Sequence, residues 1–193
     1  PPAEKAFAKE QIERFAVGTR NVETMIMGDE CVPALLRLQD LERLGIQWYR
    51  GNVSKSITAD GLRQLASLPN LRYLVLGKQT ALGDSDLVCL AEFRQLESIQ
   101  ISGMRISDAA LASLTKLPRL RQVYLVDCGG FGEDGLRSLA ACASLREVSL
   151  QGTVSVQPDW LVPLVGRDDL EWLDLSRVGE MRALPRAGPV REV

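Results

Sequence analysis

The sequence contains no histidine. Histidine is the usual general base beside a serine or cysteine nucleophile and the commonest protein ligand of transition metals, so its absence argues against most hydrolases and many metal sites. The familiar phosphate-binding runs GxGxxG and GxxxxGK[ST] are missing as well. We therefore expect no catalytic residues, no metal site and no cofactor, and interpret the chain as a protein other than an enzyme.

Long apolar runs and an excess of one charge are also missing. No apolar segment approaches the roughly 20 residues that a membrane-spanning helix needs, and 23 basic against 25 acidic side chains leave a net charge of -2. We therefore expect neither a membrane nor a nucleic acid as partner. The 193 residues, 46% of them apolar and 25% charged, are typical of a folded soluble protein. Because no methionine precedes Pro1, we expect a trimmed piece of a longer chain.

Cysteine is scarce, and the four residues Cys31, Cys89, Cys128 and Cys142 form no CxxC pair. A chain of this size does not need disulfides to fold, and a free cysteine behaves as a small buried hydrophobe. We therefore predict four reduced, packed thiols, which favours a cytoplasmic protein. Cys128 opens the glycine-rich run 128–132. A reactive thiol in a flexible loop and a thiol that fills a tight turn both fit this run, and we favour the second.

The dominant positive feature is an internal repeat. Apolar residues recur at positions 1, 4 and 6 of six successive units, whose starts are 30, 25, 24, 25 and 25 residues apart. Six consecutive matches indicate a repeat architecture in which each unit supplies one strand. Val22, Met25 and Met27 fit the same template, and we interpret them as a shortened first repeat. The six regular units are Leu41/Leu44/Ile46, Leu71/Leu74/Leu76, Leu96/Ile99/Ile101, Leu120/Val123/Leu125, Leu145/Val148/Leu150 and Leu170/Leu173/Leu175.

A helical pattern follows each strand unit. Leucines recur every three residues, as in Leu111, Leu114 and Leu117, which places one apolar stripe along a short helix. A single unit is too small to bury its own apolar face, so neighbouring units must stack. We predict an α/β solenoid, a curved right-handed superhelix with a parallel sheet on the concave side and helices on the convex side. Residues suited to accept hydrogen bonds from first-turn amides mark the helix starts: Asp60, Asp84, Ser107 with Asp108, Asp134 and Asp159.

The LxxLxL units and the helix starts that follow them resemble the leucine-rich-repeat superfamily, in particular its ribonuclease-inhibitor-like and cysteine-containing types. The resemblance covers residues 22–181 and implies six to seven repeats, with 1–21 as an N-terminal capping helix and 182–193 as a C-terminal tail. The repeat signature specifies the fold and is nearly silent on function, since one scaffold hosts many partners. Members commonly carry Asn or Cys at position 9, where only Cys128 matches here, so we expect other groups to satisfy the remaining turns. An F-box before the repeats would need sequence outside this chain.

Function on such a scaffold is expected from the strand residues that point away from the core, at positions 3, 5, 7 and 8. Aromatic side chains are only 5% of the sequence, yet four fall on or beside this face, and Trp and Tyr often anchor interfaces. We expect a monomeric chain that binds a protein partner of unknown identity. The predicted partner-binding residues are Arg43, Trp48, Tyr73, Gln100, Gln122, Tyr124, Glu147, Trp172 and Asp174.

Two alternatives stay open at this point. The basic and aromatic loop 48–56, which lengthens the first regular repeat, is a second candidate surface, since loops on a rigid scaffold often carry recognition. The chain could also be an assembly subunit held by its convex helices, or the recognition part of a longer effector or ubiquitin-ligase adaptor. Aromatic residues such as Trp172 could equally cover the end of the sheet rather than meet a partner.

Overall fold

A computed structural model describes residues 18–24, 28–46, 57–77, 82–153 and 156–179. Within these residues, seven parallel strands form one sheet in the order of the sequence, β1 to β7. The register joins equivalent positions of successive repeats, so that Tyr73 pairs with Ser98 and Gln122 with Glu147. The predicted α/β solenoid is thereby confirmed. The strands are β1 (Asn21–Thr24), β2 (Arg43–Ile46), β3 (Tyr73–Leu76), β4 (Ser98–Ser102), β5 (Gln122–Val126), β6 (Glu147–Ser149) and β7 (Trp172–Asp174).

Short helices connect the strands and pack against their neighbours on the other side of the core. Several of them are wholly or partly 3-10 helices, and one of these, Asp84–Glu92, is unusually long at nine residues. No helix among the described ranges is both long and apolar enough to cross a membrane. The α-helices are α1 (Val32–Leu35), α2 (Ala59–Leu65), α3 (Asp108–Leu114), α4 (Glu133–Ala140) and α5 (Val162–Val165), and the 3-10 helices are Asp29–Cys31, Asp84–Glu92 and Pro158–Leu161.

One continuous apolar core runs between sheet and helices. The residues at positions 1, 4 and 6 of all six regular units are buried, apart from Leu175, which is partly buried against the same core. The three-residue stripes of the helices face them, and Leu111 and Leu114 are both buried. This two-sided packing explains why the repeat is so clear in the sequence. A polar residue at any of these buried positions would destabilise the folded protein.

The register predicted for the first repeat is wrong. Val22 pairs with Leu44, so it occupies position 4 of its unit rather than position 1. The outward positions 3 and 5 are therefore Asn21 and Glu23, and not Thr24 and Ile26. The template failed here because the true register places Thr19 and Thr24 at positions 1 and 6, whereas the shifted register finds apolar residues at all three template positions. The predicted capping helix in 1–21 and the tail 182–193 lie outside the described residues, apart from 18–21.

Two carboxylates, those of Asp29 and Asp108, accept hydrogen bonds at the start of the helix in the following repeat. Asp29 accepts hydrogen bonds from the Thr58 backbone amide at 2.8 Å and its hydroxyl at 2.6 Å. Asp108 accepts from the backbone amides of Gly132 at 2.7 Å and Gly135 at 3.0 Å. Each carboxylate thus satisfies amides at a helix start that have no partner within their own helix.

The helix starts were predicted only in part. Of the residues named for capping, Ser107 does accept a hydrogen bond from its own helix, at the amide of Ala110 (3.3 Å). Asp60 instead accepts from Arg63 at 2.6 Å, and the cap of α2 is Thr58. In α2 the N-cap position falls two residues earlier than Asp60, and the Thr58 hydroxyl there accepts from the Gly61 amide at 3.3 Å.

Position 9 of the repeats is buried wherever the structure describes it. The Cys128 thiol lies 3.3 Å from the carbonyl oxygen of Ile101, and the Thr153 hydroxyl donates to the carbonyl of Leu150 at 2.5 Å. Met104 and Val178 fill the same place with apolar volume. Burial raises the pKa of the Cys128 thiol above its ordinary value. A buried, protonated thiol fits the turn-filling interpretation of Cys128 and disfavours a reactive one.

Candidate functional site

The outward face of the sheet forms a shallow groove across β1 to β5, with a volume of about 730 Å³. At position 5 of β2 stands Gly45, which lies between Glu23 and Val75 in the sheet register. The lining residues are Asn21, Val22, Glu23, Arg43, Leu44, Gly45, Tyr73, Leu74, Val75, Ser98, Gln100, Gln122 and Tyr124.

Arg43 and Tyr73 form one edge of this groove. They are direct neighbours on β2 and β3, and the Arg43 guanidinium carbon lies 4.0 Å from the centre of the Tyr73 ring. A cation over an aromatic face at this distance is electrostatically attracted to the ring. Arg43 is exposed, and within the described residues it forms no ion pair. The stacking therefore holds a positive charge in place at the surface without neutralising it.

A second cluster lies on β5 to β7 and is centred on Tyr124. The Tyr124 hydroxyl donates to Glu147 at 2.6 Å, and the Tyr124 ring meets Trp172 edge to face, with ring centres 5.9 Å apart. Asp174 accepts a hydrogen bond from the Ser149 hydroxyl at 3.0 Å and from the Ser176 amide at 2.8 Å. We call Tyr124, Ser149, Glu147, Trp172 and Asp174 the C-terminal patch. Its side chains hold one another in place across three strands.

The pKa values of Tyr124 and Asp174 in this patch are shifted in opposite directions. Burial raises the pKa of the Tyr124 hydroxyl well above its ordinary value, and the hydrogen bond to the charged Glu147 raises it further. Tyr124 therefore stays protonated and remains a donor at neutral pH. Burial also acts to raise the pKa of Asp174, but the hydrogen bonds from Ser176 and Ser149 and the charge of Arg177 outweigh it and lower the pKa. Asp174 is thus ionised at neutral pH.

The structure brings most of the predicted site residues onto one face. Arg43, Tyr73, Gln100, Gln122 and Tyr124 line the groove, and Glu147, Trp172 and Asp174 join it through the contacts of the C-terminal patch. Trp48 and the loop 48–56 lie outside the described residues. Whether any of these residues contacts a partner stays a prediction.

Sequence reasoning missed two groove residues, Asn21 and Glu23, because it misplaced the first strand. A signal was available in the sequence. Val32, Leu35, Leu38 and Leu41 repeat the three-residue spacing of the helical stripes, and a strand must end several residues before such a stripe begins. Counting back from Val32 therefore favours a strand near 21–24. Among the described residues, no group of three or more cysteine, aspartate or glutamate side chains is arranged to hold a metal ion.

The chain is similar to much longer plant proteins. A transport inhibitor response 1-like protein of Oryza sativa subsp. japonica is 31% identical over 105 residues, which are 52% of this chain and 18% of that protein. The BTB/POZ domain-containing protein FBL11 of Arabidopsis thaliana is 34% identical over 136 residues, 69% of this chain and 14% of that protein. The chain therefore spans less than a fifth of the length of these curated relatives.

No protein-family model matches the chain. Among solved structures, internalin C2 of Listeria monocytogenes strain 4b F2365 aligns with a TM-score of 0.49 and 14% identity, over 92% of this chain and 86% of that one. The assignment rests on the chain's own repeats: each unit with the LxxLxL pattern buries its pattern residues and adds one parallel strand to a single sheet. The chain is a member of the leucine-rich-repeat superfamily.

Proposed function

We propose that this chain is a non-catalytic scaffold that recognises a protein partner through the concave face of its sheet. The observation that carries the proposal is the continuous row of outward side chains from Arg43 on β2 to Asp174 on β7, most of them held by contacts with each other. Side chains that are ordered before binding lose little conformational entropy when a partner docks.

The shape and composition of this face support a protein as the partner. The groove is open and extends over five strands, whereas sites for small molecules enclose most of the ligand surface. Its side chains are mainly aromatic, amide and charged groups, and aromatic residues with arginine are enriched at protein interfaces. The parallel strands beneath them are fixed by the core, so the surface is presented on a rigid base.

A second proposal concerns the larger protein. The relatives carry the matching segment as 18% and 14% of their length, and the name of one includes a BTB/POZ domain. This supports the idea that the repeats are the recognition part of a longer protein, such as a ubiquitin-ligase adaptor. The alternative of a structural subunit held by its convex helices would make the concave side chains dispensable for assembly.

The test is affinity capture with the chain as bait, followed by calorimetric titration of any captured protein. Tyr73→Ala and Tyr124→Ala should each weaken binding by about 1 to 3 kcal/mol, roughly 5- to 150-fold, because each removes a central aromatic contact. The matched controls are Arg63→Ala and Arg137→Ala, which alter exposed side chains on α2 and α4. Full affinity in both tyrosine variants, with loss in the arginine variants, would move the binding surface to the convex side.

A further inference from the structure

The C-terminal patch carries two carboxylates on neighbouring strands. Glu147 lies at position 3 of β6, and Asp174 lies at position 5 of β7, one strand further on. With strands about 4.8 Å apart and about 3.3 Å per residue, their Cα atoms are roughly 8 Å apart. Both side chains are half-buried on the outward face. The distance is short enough for one flexible cationic side chain to reach either group.

The aromatic rings of the patch lean towards each other above β6. Tyr124 and Trp172 are two strands apart, yet their ring centres are only 5.9 Å from each other. The two side chains therefore converge over the strand between them, and Ser149 on that strand is only 3% exposed although it points outward. The result is a wall of two half-buried rings beside the carboxylates. Ring faces and edges of this kind bind the stems and heads of lysine and arginine well.

The negative charges of the patch are held in place but not neutralised by an ion pair. Glu147 is held by the Tyr124 hydroxyl, and Asp174 by Ser149 and the Ser176 amide, all of them uncharged donors. Within the described ranges, neither carboxylate forms a salt bridge, although the charge of Arg177 acts on Asp174 from a greater distance. By contrast, Arg146 beside the patch is already paired with Asp169 at 2.9 Å. The patch thus has two oriented acceptors ready for a cation.

We propose that the C-terminal patch binds a lysine or arginine side chain presented by an extended segment of the protein partner. The cation would lie between Glu147 and Asp174, with its aliphatic stem against Tyr124 and Trp172. This inference rests on the proposed function, because it names the chemistry that one part of the concave face selects.

The experiment is a display selection of random dodecapeptides on the full chain, followed by fluorescence titration of the strongest peptide. Peptides selected on the unchanged protein should be enriched in lysine and arginine. Glu147→Gln and Asp174→Asn, which keep the shape and remove one charge each, should each weaken the peptide at least tenfold. The matched control Glu171→Gln removes the same charge from an exposed residue beside β7, at a position outside the patch, and should leave binding within twofold. Circular dichroism should show unchanged folding in all three variants.

The outcomes separate the two proposals. If selected peptides lack basic residues, if no peptide is enriched, or if Glu171→Gln weakens binding as much as Glu147→Gln, the cation-binding patch is refuted. If a peptide loses affinity with Tyr73→Ala but not with the two patch variants, the concave face binds and only the cation site is wrong. If the peptide binds with unchanged affinity to Tyr73→Ala and to both patch variants, the proposed concave-face function itself is refuted.

Discussion

Arg167 joins its own repeat to the preceding one, and its replacement should cost more stability than that of any exposed arginine. All five of its N–H donors are used: two on Asp169, two on the carbonyl oxygens of Ala140 and Cys142 in the preceding repeat, and one on the carbonyl oxygen of Leu145 at the start of its own repeat. Its side chain is only 12% exposed. The guanidinium thus caps the end of α4, whose last carbonyls have no partner within the helix.

The expected loss in free energy of unfolding follows from these hydrogen bonds. Hydrogen bonds to a charged group contribute about 1.5 to 3 kcal/mol each, but the carbonyls regain some water and the Asp169 pair is half-exposed and adds little. Arg167→Ala should therefore lower the free energy of unfolding by about 2 to 4 kcal/mol. Arg167→Lys should recover less than half of this loss, because one ammonium cannot reach three carbonyls at once.

Urea denaturation followed by circular dichroism measures the effect. With an m value of about 3 kcal/mol/M, a loss of about 3 kcal/mol lowers the midpoint by about 1 M. The matched control is Arg94→Ala, an exposed arginine whose side chain has no hydrogen bond or ion pair within the described residues; its midpoint should stay within about 0.2 M, the usual range for surface changes. If Arg167→Ala shifts the midpoint no more than Arg94→Ala, the network does not stabilise the fold as argued.

Two further predictions concern the stacking of repeats and the thiols. Gly135→Ala should destabilise the protein by about 1 to 3 kcal/mol although alanine normally favours a helix, because the new Cβ would lie 2.5 Å from Asp108 Oδ1. The control Gly132→Ala should be tolerated, because the nearest atom to its new Cβ is 3.6 Å away. Thermal melting of the two variants measures the difference in stability. Burial raises the pKa of Cys89 and Cys142 from 9.0 to about 11, so both thiols should resist iodoacetamide at pH 8 in the folded protein only. The same shift means that the stability due to these thiols is complete below pH 9 and is lost as the pH rises through 11, which urea midpoints between pH 8 and 11 would reveal. Rapid alkylation of the native protein, or an intact mass two or four hydrogens below that of the reduced chain, would contradict the prediction of four buried free thiols.

The sequence by itself determined the repeat, the strand residues that enter the core and the face that the others occupy. It could do so because burial on stacked strands requires apolar residues at fixed, local spacings, and six units repeat the same requirement. The first repeat shows the limit of this reasoning. In this unit a shift by three residues fitted the template better than the true register, because the true register has threonine at positions 1 and 6.

Only the tertiary structure decided which side chains meet across the repeats. Residues such as Tyr124 and Trp172, or Asp108 and Gly135, are more than 20 positions apart in the sequence, and their contact depends on how two units stack and how each side chain turns. The spacing rules place both tyrosines and both carboxylates on the outward face, but they contain no information on which of them lean together. For the same reason, the sequence presents Arg167 as one more surface charge, whereas stacking brings it against two carbonyls of the preceding repeat.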